Sequence, residues 1–294
     1  MESSKQKKFS IFNLIIFVVL ILYTALLISL MVWGFFTSLK TRDDFYHHKI
    51  GLPQEWAWSN YGFVLENFAV TVLNNVGQRI RVNILGQTIN TLLYAVGGGL
   101  STTIACCIVS YLVAKFDFRL SKIVYTTVLV TMVIPIIGST PAYMLFMRQT
   151  NLYDTWIGEY ISKFSFLGLY FLVFHGVFSG ISPEYSEAAT IDGANEYQIF
   201  FRIMIPLVVP TFYTVFLIQF INYWNDYTTA LLFMPTHPTL AYGVYYLSVS
   251  NEQGLSSAPM RMVACVILAV PLTAVFVAFR NKVMGNVTMG GVKE

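Results

Sequence analysis

The stretch Ile11–Phe36, IFNLIIFVVLILYTALLISLMVWGFF, runs for 26 residues without a charged side chain. A helix needs roughly 20 predominantly apolar residues to cross the hydrocarbon core of a bilayer. Lys5, Lys7 and Lys8 stand immediately before the run, and Trp33 stands near its far end. A cleavable signal peptide is the alternative, but its apolar core would be only about 7–15 residues long and would end at small residues. The run therefore reads as a retained membrane helix with its N-terminus inside.

The rest of the chain agrees. Of its 294 residues 56% are hydrophobic and only 11% charged, and the mean hydropathy is +0.62. A soluble domain carries about 25% charged residues. The net charge of +3 gives no nucleic-acid signal, and no nucleic-acid partner is expected. Cys106, Cys107 and Cys265 all lie in apolar runs, without metal-ligand spacing, and read as small fillers of helix interfaces.

Six stretches are long enough to span: roughly 11–36, 88–114, 121–147, 162–180, 206–224 and 260–280. The expected fold is an all-α integral membrane protein of six transmembrane helices. Its parts are a tail and first helix (1–36), an external loop (37–87), a core (88–280) with a polar loop at 181–205, and a tail (281–294). Positive residues mark the cytoplasmic side of short loops. Lys115, Arg119, Lys122, Arg202, Arg280, Lys282 and Lys293 would lie inside; Arg148, Lys163 and Arg261 would lie outside, with five basic residues of the long first loop, where the rule holds weakly. This bias predicts N-in, C-in.

Within the spans, Gly97, Ser101 and Ala105 repeat every four residues, as do Gly98, Thr102 and Cys106. Small residues at that spacing let helices approach closely in lipid. Pro135, Pro141, Pro206, Pro210 and Pro271 interrupt spans, which bundles tolerate where neighbours satisfy the freed carbonyls. His175 reads as a hydrogen-bonded histidine near the cytoplasmic interface. No buried Asp, Glu, Lys or Arg is evident in the spans. An ion-coupled carrier normally needs such a group, so the energy source is expected outside this chain.

The polar loop and its exit read ISPEYSEAATIDGANEYQIFFRIMIPLVVP over 181–210. Ser182, Pro183 and Glu184 form a helix start: a capping hydroxyl, a proline in the first turn and a carboxylate beside the helix dipole. The helix should stop near Asp192-Gly193, because glycine is permissive. Asp192 is expected to cap a second helix from Ala194. Tyr197, Phe200, Phe201, Met204 and Ile205 give that helix an apolar face. Ala188 and Ala189 narrow the first helix so that another protein comes close, and Glu187 offers a charge-assisted hydrogen bond. The alternative is a surface connector with no partner.

Glu187-Ala188-Ala189, Asp192-Gly193-Ala194, Phe200, Ile203, Pro206-Leu207 and Pro210 resemble the "EAA" loop of membrane subunits of ATP-binding-cassette importers. Trp224-Asn225-Asp226 resembles a step of the sugar permeases. The tail from Val287 to Lys293 resembles that of the MalG-type half of maltose-like systems. Ser182 and Ser186 depart from the usual Pro and Glu of the loop, and Glu294 from the usual terminal Gly.

The resemblance implies a five-helix, MetI-like permease core with a cytoplasmic coupling helix. It implies a homologous second permease, two cytoplasmic ATPase subunits that bind ATP and Mg, and an extracytoplasmic solute-binding protein. Glu187, Ala188, Ala189, Asp192, Gly193 and Ala194 would couple to an ATPase, and Val292 and Lys293 would touch the ATPases from the tail. The chain itself has no Gly-x4-Gly-Lys-Ser/Thr sequence; no cofactor, metal or catalytic residue is expected in it. Gln219, Asn222, Tyr223, Trp224 and Asn225 are candidates for the sugar path, with packing against the partner permease as the alternative. The loop 226–259 is expected to touch the binding protein. The rival readings are a stand-alone secondary carrier, an importer of a non-sugar solute, and a membrane scaffold.

Overall fold

The computed structural model describes residues 11–73, 77–134, 138–250 and 254–287, the last eight of these as backbone only. The order is α1 (Ile11–Ser38), α2 (Arg42–His47), α3 (Ser59–Asn67), β1 (Ala69–Leu73), β2 (Arg79–Asn83), α4 (Ile84–Lys115), α5 (Arg119–Val133), α6 (Ser139–Gln149), α7 (Trp156–Lys163), α8 (Leu169–Ser179), α9 (Glu184–Ile191), α10 (Glu196–Ile199), a π-turn (Phe200–Met204), α11 (Ile205–Trp224), α12 (Thr228–Leu232), α13 (Leu240–Val249) and α14 (Ala258–Val287).

Among the described residues four helices are long and apolar enough to cross a membrane: Ile11–Ser38, Ile84–Lys115, Glu196–Trp224 and Ala258–Phe279. The other two expected spans are divided. In the third, α5 and α6 lie on either side of residues 135–137, which are outside the described residues, and Gly138, at φ +78°, is the N-cap of α6. The fourth starts in the last residues of α7 and resumes as α8 after a break at 164–168. At about 1.5 Å per residue, the 11 residues of α8 reach only about half of the ~30 Å hydrocarbon core. The chain is thus mostly helical, and among the described residues four of the six expected spans are single continuous helices.

The chain divides into two compact units. The first comprises residues 1–68 and 247–267. Its polar anchor is Asn60, whose Nδ2 donates to Ser38 O and Lys40 O at 2.9 and 2.8 Å. Those carbonyls lie at the frayed end of α1, where helical partners run out. Ser38 Oγ meets Tyr61 Oη at 2.7 Å, and buried Lys40 donates to His48 O. The segment 37–68, for which the sequence alone offers no reading, is thereby folded onto the end of α1.

The second unit comprises residues 69–246 and 268–294. It opens with an antiparallel hairpin, β1 on β2, in the register Ala69↔Asn83 to Leu73↔Arg79. Asn83 then caps α4 by accepting from Gly86 N at 2.9 Å. Helix α4 is the central strut, packed against α5, α7, α8 and α11. Gly97, Gly98 and Gly99 make that packing possible. A Cβ at Gly97 would lie 2.2 Å from Tyr160 Cε1, one at Gly98 3.2 Å from Tyr223, and one at Gly99 3.2 Å from Phe216. The small residues of α4 therefore admit aromatic side chains. Cys106 and Cys107 are buried free thiols beside Tyr111, Phe174, Phe178 and Val215, and Cys265 is half-buried and free. His175 lies between the rings of Tyr125 and Phe171, 4.8 and 5.9 Å away by centroid, and makes no hydrogen bond among the described residues.

Candidate functional site

The polar loop folds into the expected helix, bend and second helix. Ser182 Oγ accepts from Glu184 N at 3.3 Å, and α9 follows. It ends at Asp192, and Gly193 takes φ +81°, a left-handed conformation that costs other L-residues roughly 1–2 kcal/mol. Ala194 N then donates to Ala189 O at 2.9 Å. The second helix begins later than the sequence suggests, and Asp192 does not cap it. Asn195 does. Its side chain accepts from Gln198 N while Gln198 Oε1 accepts from Asn195 N, both at 2.9 Å, a reciprocal capping box. The sequence signal was Asn followed three residues later by Gln.

Below α10 the backbone widens into the π-turn, closing on an Ile205 N to Phe200 O bond. Pro206 has no N–H to give, so the ladder is already interrupted there; π-bulges of this kind occur inside helices. Ala189, Ile199 and Met204 are buried with Tyr111, Phe174 and Phe178, which fixes the loop to the bundle. Tyr111 lies 4.6 Å from Phe200 by ring centroid. Lys115 Nζ donates to Ile181 O at 2.7 Å. The opposite surface is open. Glu187, Ala188, Asp192 and Gly193 are exposed, and Ala194 is half-buried. Tyr185, Ile191 and Tyr197 are exposed by 53%, 86% and 79%. An acidic and apolar face is thus presented by a segment whose other side is anchored.

The path candidates lie at the other end of α11, about 30 Å away for 20 residues. They do not share one environment. Asn222 and Asn225 are exposed, Gln219 is buried and Tyr223 half-buried. Trp224 is 1% exposed and donates Nε1–H to Leu268 O at 3.0 Å. Asn225 donates to Ile221 O on its own helix. Asn222, Gln219 and Tyr223 form a chain: Asn222 Nδ2 donates to Gln219 Oε1 at 3.1 Å, and Gln219 Nε2 to Tyr223 Oη at 3.4 Å. Val292 and Lys293 lie outside the described residues.

Behind that chain stands a charged cluster that the sequence reading missed. Lys163 Nζ sits 3.2 Å from Glu159 Oε1, with Glu159 only 2% exposed. Tyr94 donates to Asp226 Oδ2 at 2.6 Å, and Thr229 Oγ1 donates to the same oxygen at 2.7 Å. Burial pushes the Glu159 carboxyl above the ordinary carboxylate range, opposed in part by Lys163. Burial also pushes Asp226 upward, but hydrogen bonds from Thr229 and Tyr94 outweigh it and hold the carboxyl below its ordinary value. Glu159 and Asp226 lie just outside the expected spans 162–180 and 206–224, so the cluster flanks the spans. The signal available was Glu159 four residues before Lys163, an i,i+4 pair in the favourable order.

Apolar spanning helices, a glycine-seamed strut and an anchored polar loop with one open acidic and apolar face define a polytopic helical membrane protein. Residues 106–283 match the model of a transport family, and the chain belongs to the binding-protein-dependent transport system inner membrane components. It is 21% identical to the diacetylchitobiose uptake system permease protein NgcG of Streptomyces coelicolor, over 92% of this chain and 86% of that one. It is 26% identical to the melibiose/raffinose/stachyose import permease protein MelC of Bacillus subtilis, over 87% and 88%. It is also 26% identical to the trehalose transport system permease protein SugB of Mycobacterium tuberculosis, over 90% and 91%. In fold it resembles a chain of a bacterial ABC transporter that imports the acidic polysaccharide alginate, with TM-score 0.76 and 22% identity, covering 95% of this chain and 99% of that one.

Proposed function

We propose that this chain is one of two homologous membrane-spanning subunits of an ATP-driven, binding-protein-dependent importer of a sugar or oligosaccharide in the bacterial cytoplasmic membrane. The observation that carries the reading is the loop at 181–205, anchored through Ala189 and Ile199 and open through Glu187, Tyr185 and Ile191. A connector without a partner has no reason to expose two large side chains beside a carboxylate on a core-anchored helix. On this reading two partner ATPases bind ATP and Mg, and one of them receives α9. Closure of the ATPase pair pushes α9, and α11, continuous with the loop, carries that displacement about 30 Å along its axis to the polar residues at its far end. N-in, C-in orientation places the loop and the tail on the ATPase side, where Val292 and Lys293 would add contacts. A solute-binding protein delivers cargo on the other side.

The sugar reading is supported by the relatives, whose names include diacetylchitobiose, raffinose and trehalose. A non-sugar solute is the alternative cargo. The Glu159, Lys163 and Asp226 cluster is of the kind that ion-coupled carriers use, so the preference over a stand-alone carrier rests on family membership.

Co-expression with the partner subunits and binding protein, then uptake of labelled raffinose, trehalose and diacetylchitobiose, tests the proposal. ATP-dependent uptake of at least one is expected. Glu187→Ala should lower co-purification of the ATPase, or let hydrolysis run without uptake. Full assembly together with full uptake in that variant removes the docking role. Uptake of an amino acid or oxyanion in place of all three sugars moves the cargo to the alternative.

A further inference from the structure

The charged cluster has three possible uses: an anion site for cargo, an ion-coupling group, or an internal support. Its bonding decides among them. The ammonium of Lys163 already faces Glu159 at 3.2 Å and Thr229 Oγ1 at 3.5 Å. It also lies over the rings of Tyr94 and Tyr223, 5.7 and 5.2 Å from their centroids. Asp226 is saturated as well. Oδ2 takes the hydroxyls of Tyr94 and Thr229, and Oδ1 takes Thr228 N at 2.8 Å and Thr229 N at 3.2 Å. A carboxylate cargo would meet two carboxylates around one ammonium that is already paired. A transported cation would have to displace four donors from Asp226. Lys163 and Asp226 are satisfied from within, whereas Glu159 is held by its ion pair alone, its buried Oε1 accepting no hydrogen bond.

What the cluster does reach is Tyr223, and it reaches it from two directions. The ammonium lies on the face of the ring. The backbone carbonyl of the same lysine accepts from Thr102 Oγ1 at 2.8 Å, and that hydroxyl lies 2.8 Å from Tyr223 Oη. The third wall is Gly98, where a Cβ would stand 3.2 Å from Tyr223 Cδ2 and 3.6 Å from Lys163 Cγ. Tyr223 Oη in turn holds Gln219, and Gln219 holds exposed Asn222. One lysine, at the end of α7, therefore fixes ring and hydroxyl of the residue from which the polar face of α11 is built.

We propose that Lys163 is a positioning residue for cargo passage: held by Glu159 and by Thr229, it fixes Tyr223, Gln219 and Asn222 at the end of α11 without itself contacting the sugar. This rests on the importer reading for its consequence in transport, but the geometry is testable without cargo.

The test uses the whole detergent-solubilised transporter carrying Asn222→Cys in a Cys265→Ala background, with Cys106 and Cys107 left in their buried positions. The rate of alkylation by N-ethylmaleimide reads the placement of the face. Lys163→Met should change that rate by about fivefold, the size expected when a position held by roughly one net hydrogen bond is released. Lys163→Arg should restore it, since it keeps the charge over both rings. Thr102→Val, which leaves every charge paired, should shift the rate in the same direction by less. With Asn222 intact, the sugar moved per ATP hydrolysed should fall in Lys163→Met and recover in Lys163→Arg. Unchanged labelling in Lys163→Met and Thr102→Val overturns the proposal; if Lys163→Met does not assemble, unchanged labelling in Thr102→Val alone does so. Labelling that responds as expected, while the wild-type transporter moves no sugar, would leave the positioning role in place and overturn the importer reading.

Discussion

Gly97 and Gly158 are both helical glycines with ordinary negative φ, yet a methyl group at each meets a different obstacle. At Gly97 the new Cβ would fall 2.2 Å from Tyr160 Cε1 and 2.8 Å from its hydroxyl. Tyr160 is only half-buried and turns away at the cost of its bond to Leu93 O. At Gly158 the Cβ would fall 2.1 Å from Leu152 O and 2.9 Å from Leu152 C. That is backbone, in the turn where Thr155 Oγ1 both donates to Leu152 O and accepts from Gly158 N. Overpacking costs about 1–3 kcal/mol, and Gly→Ala inside a helix returns roughly 0.5–1 kcal/mol. Gly97→Ala should therefore be close to neutral or destabilise by about 1 kcal/mol, and Gly158→Ala by about 2 kcal/mol or more. Thermal unfolding midpoints in detergent check the order; equal shifts in the two variants would show that the Leu152 turn yields as readily as a side chain. Sequence periodicity marks Gly97 as a close-approach residue but says nothing of Gly158, because its neighbour is a loop carbonyl placed by tertiary structure.

At the scale of elements, the loop at 181–205 was legible because its signals are local. A proline and a carboxylate start α9, a glycine stops it, and an Asn–Gln pair three residues apart starts α10. The one misplaced cap is Asp192 for Asn195: a carboxylate beside a glycine is a cap signal, but the reciprocal Asn195–Gln198 pair is the one that forms. The divided spans and the charged cluster were not legible, because hydropathy counts apolar residues without seeing whether a helix stays continuous through them. Lys163 likewise looks solvent-facing until Glu159 on its own helix, the rings of Tyr94 on α4 and Tyr223 on α11, and Asp226 just after α11 are assembled around it. The bend between α9 and α10 carries its own prediction. Gly193 at φ +81° is open to solvent, with no atom within 4 Å of an added Cβ, so any penalty is conformational and not steric. Asn tolerates the left-handed region and Val does not. Gly193→Val should cut ATP-dependent uptake several-fold while the protein still assembles, and Gly193→Asn should retain most of it. Equal uptake in both variants would place the coupling bend elsewhere.

At the scale of the whole chain, the question is on which side of the membrane the loop lies. Lys115, Arg119 and Lys122 join α4 to α5, and Lys115 is bonded directly to Ile181 at the start of the loop. The two segments must therefore share a side, whichever it is. Charge alone predicts that side: short basic connections stay in the cytoplasm, and this one is the most basic short turn between the expected spans. The continuous helices α4 and α11 each run from this end to the end bearing Asp226 and the hairpin of β1 and β2. Alkaline phosphatase, active only outside the cytoplasm, should thus be inactive when fused after Lys122 or Gly193 and active when fused after Asn83 or Tyr227. The opposite pattern would put α9 out of reach of any ATPase and end the docking reading, whereas mixed activity at Gly193 alone would mean that the loop inserts without the turn to which Lys115 ties it. Because Lys115→Gln removes that tie and a positive charge together, Lys122→Gln, which removes a charge and leaves the tie, separates the effects. Loss of orientation in both substitutions assigns it to charge, and loss in Lys115→Gln alone assigns it to the bond with Ile181.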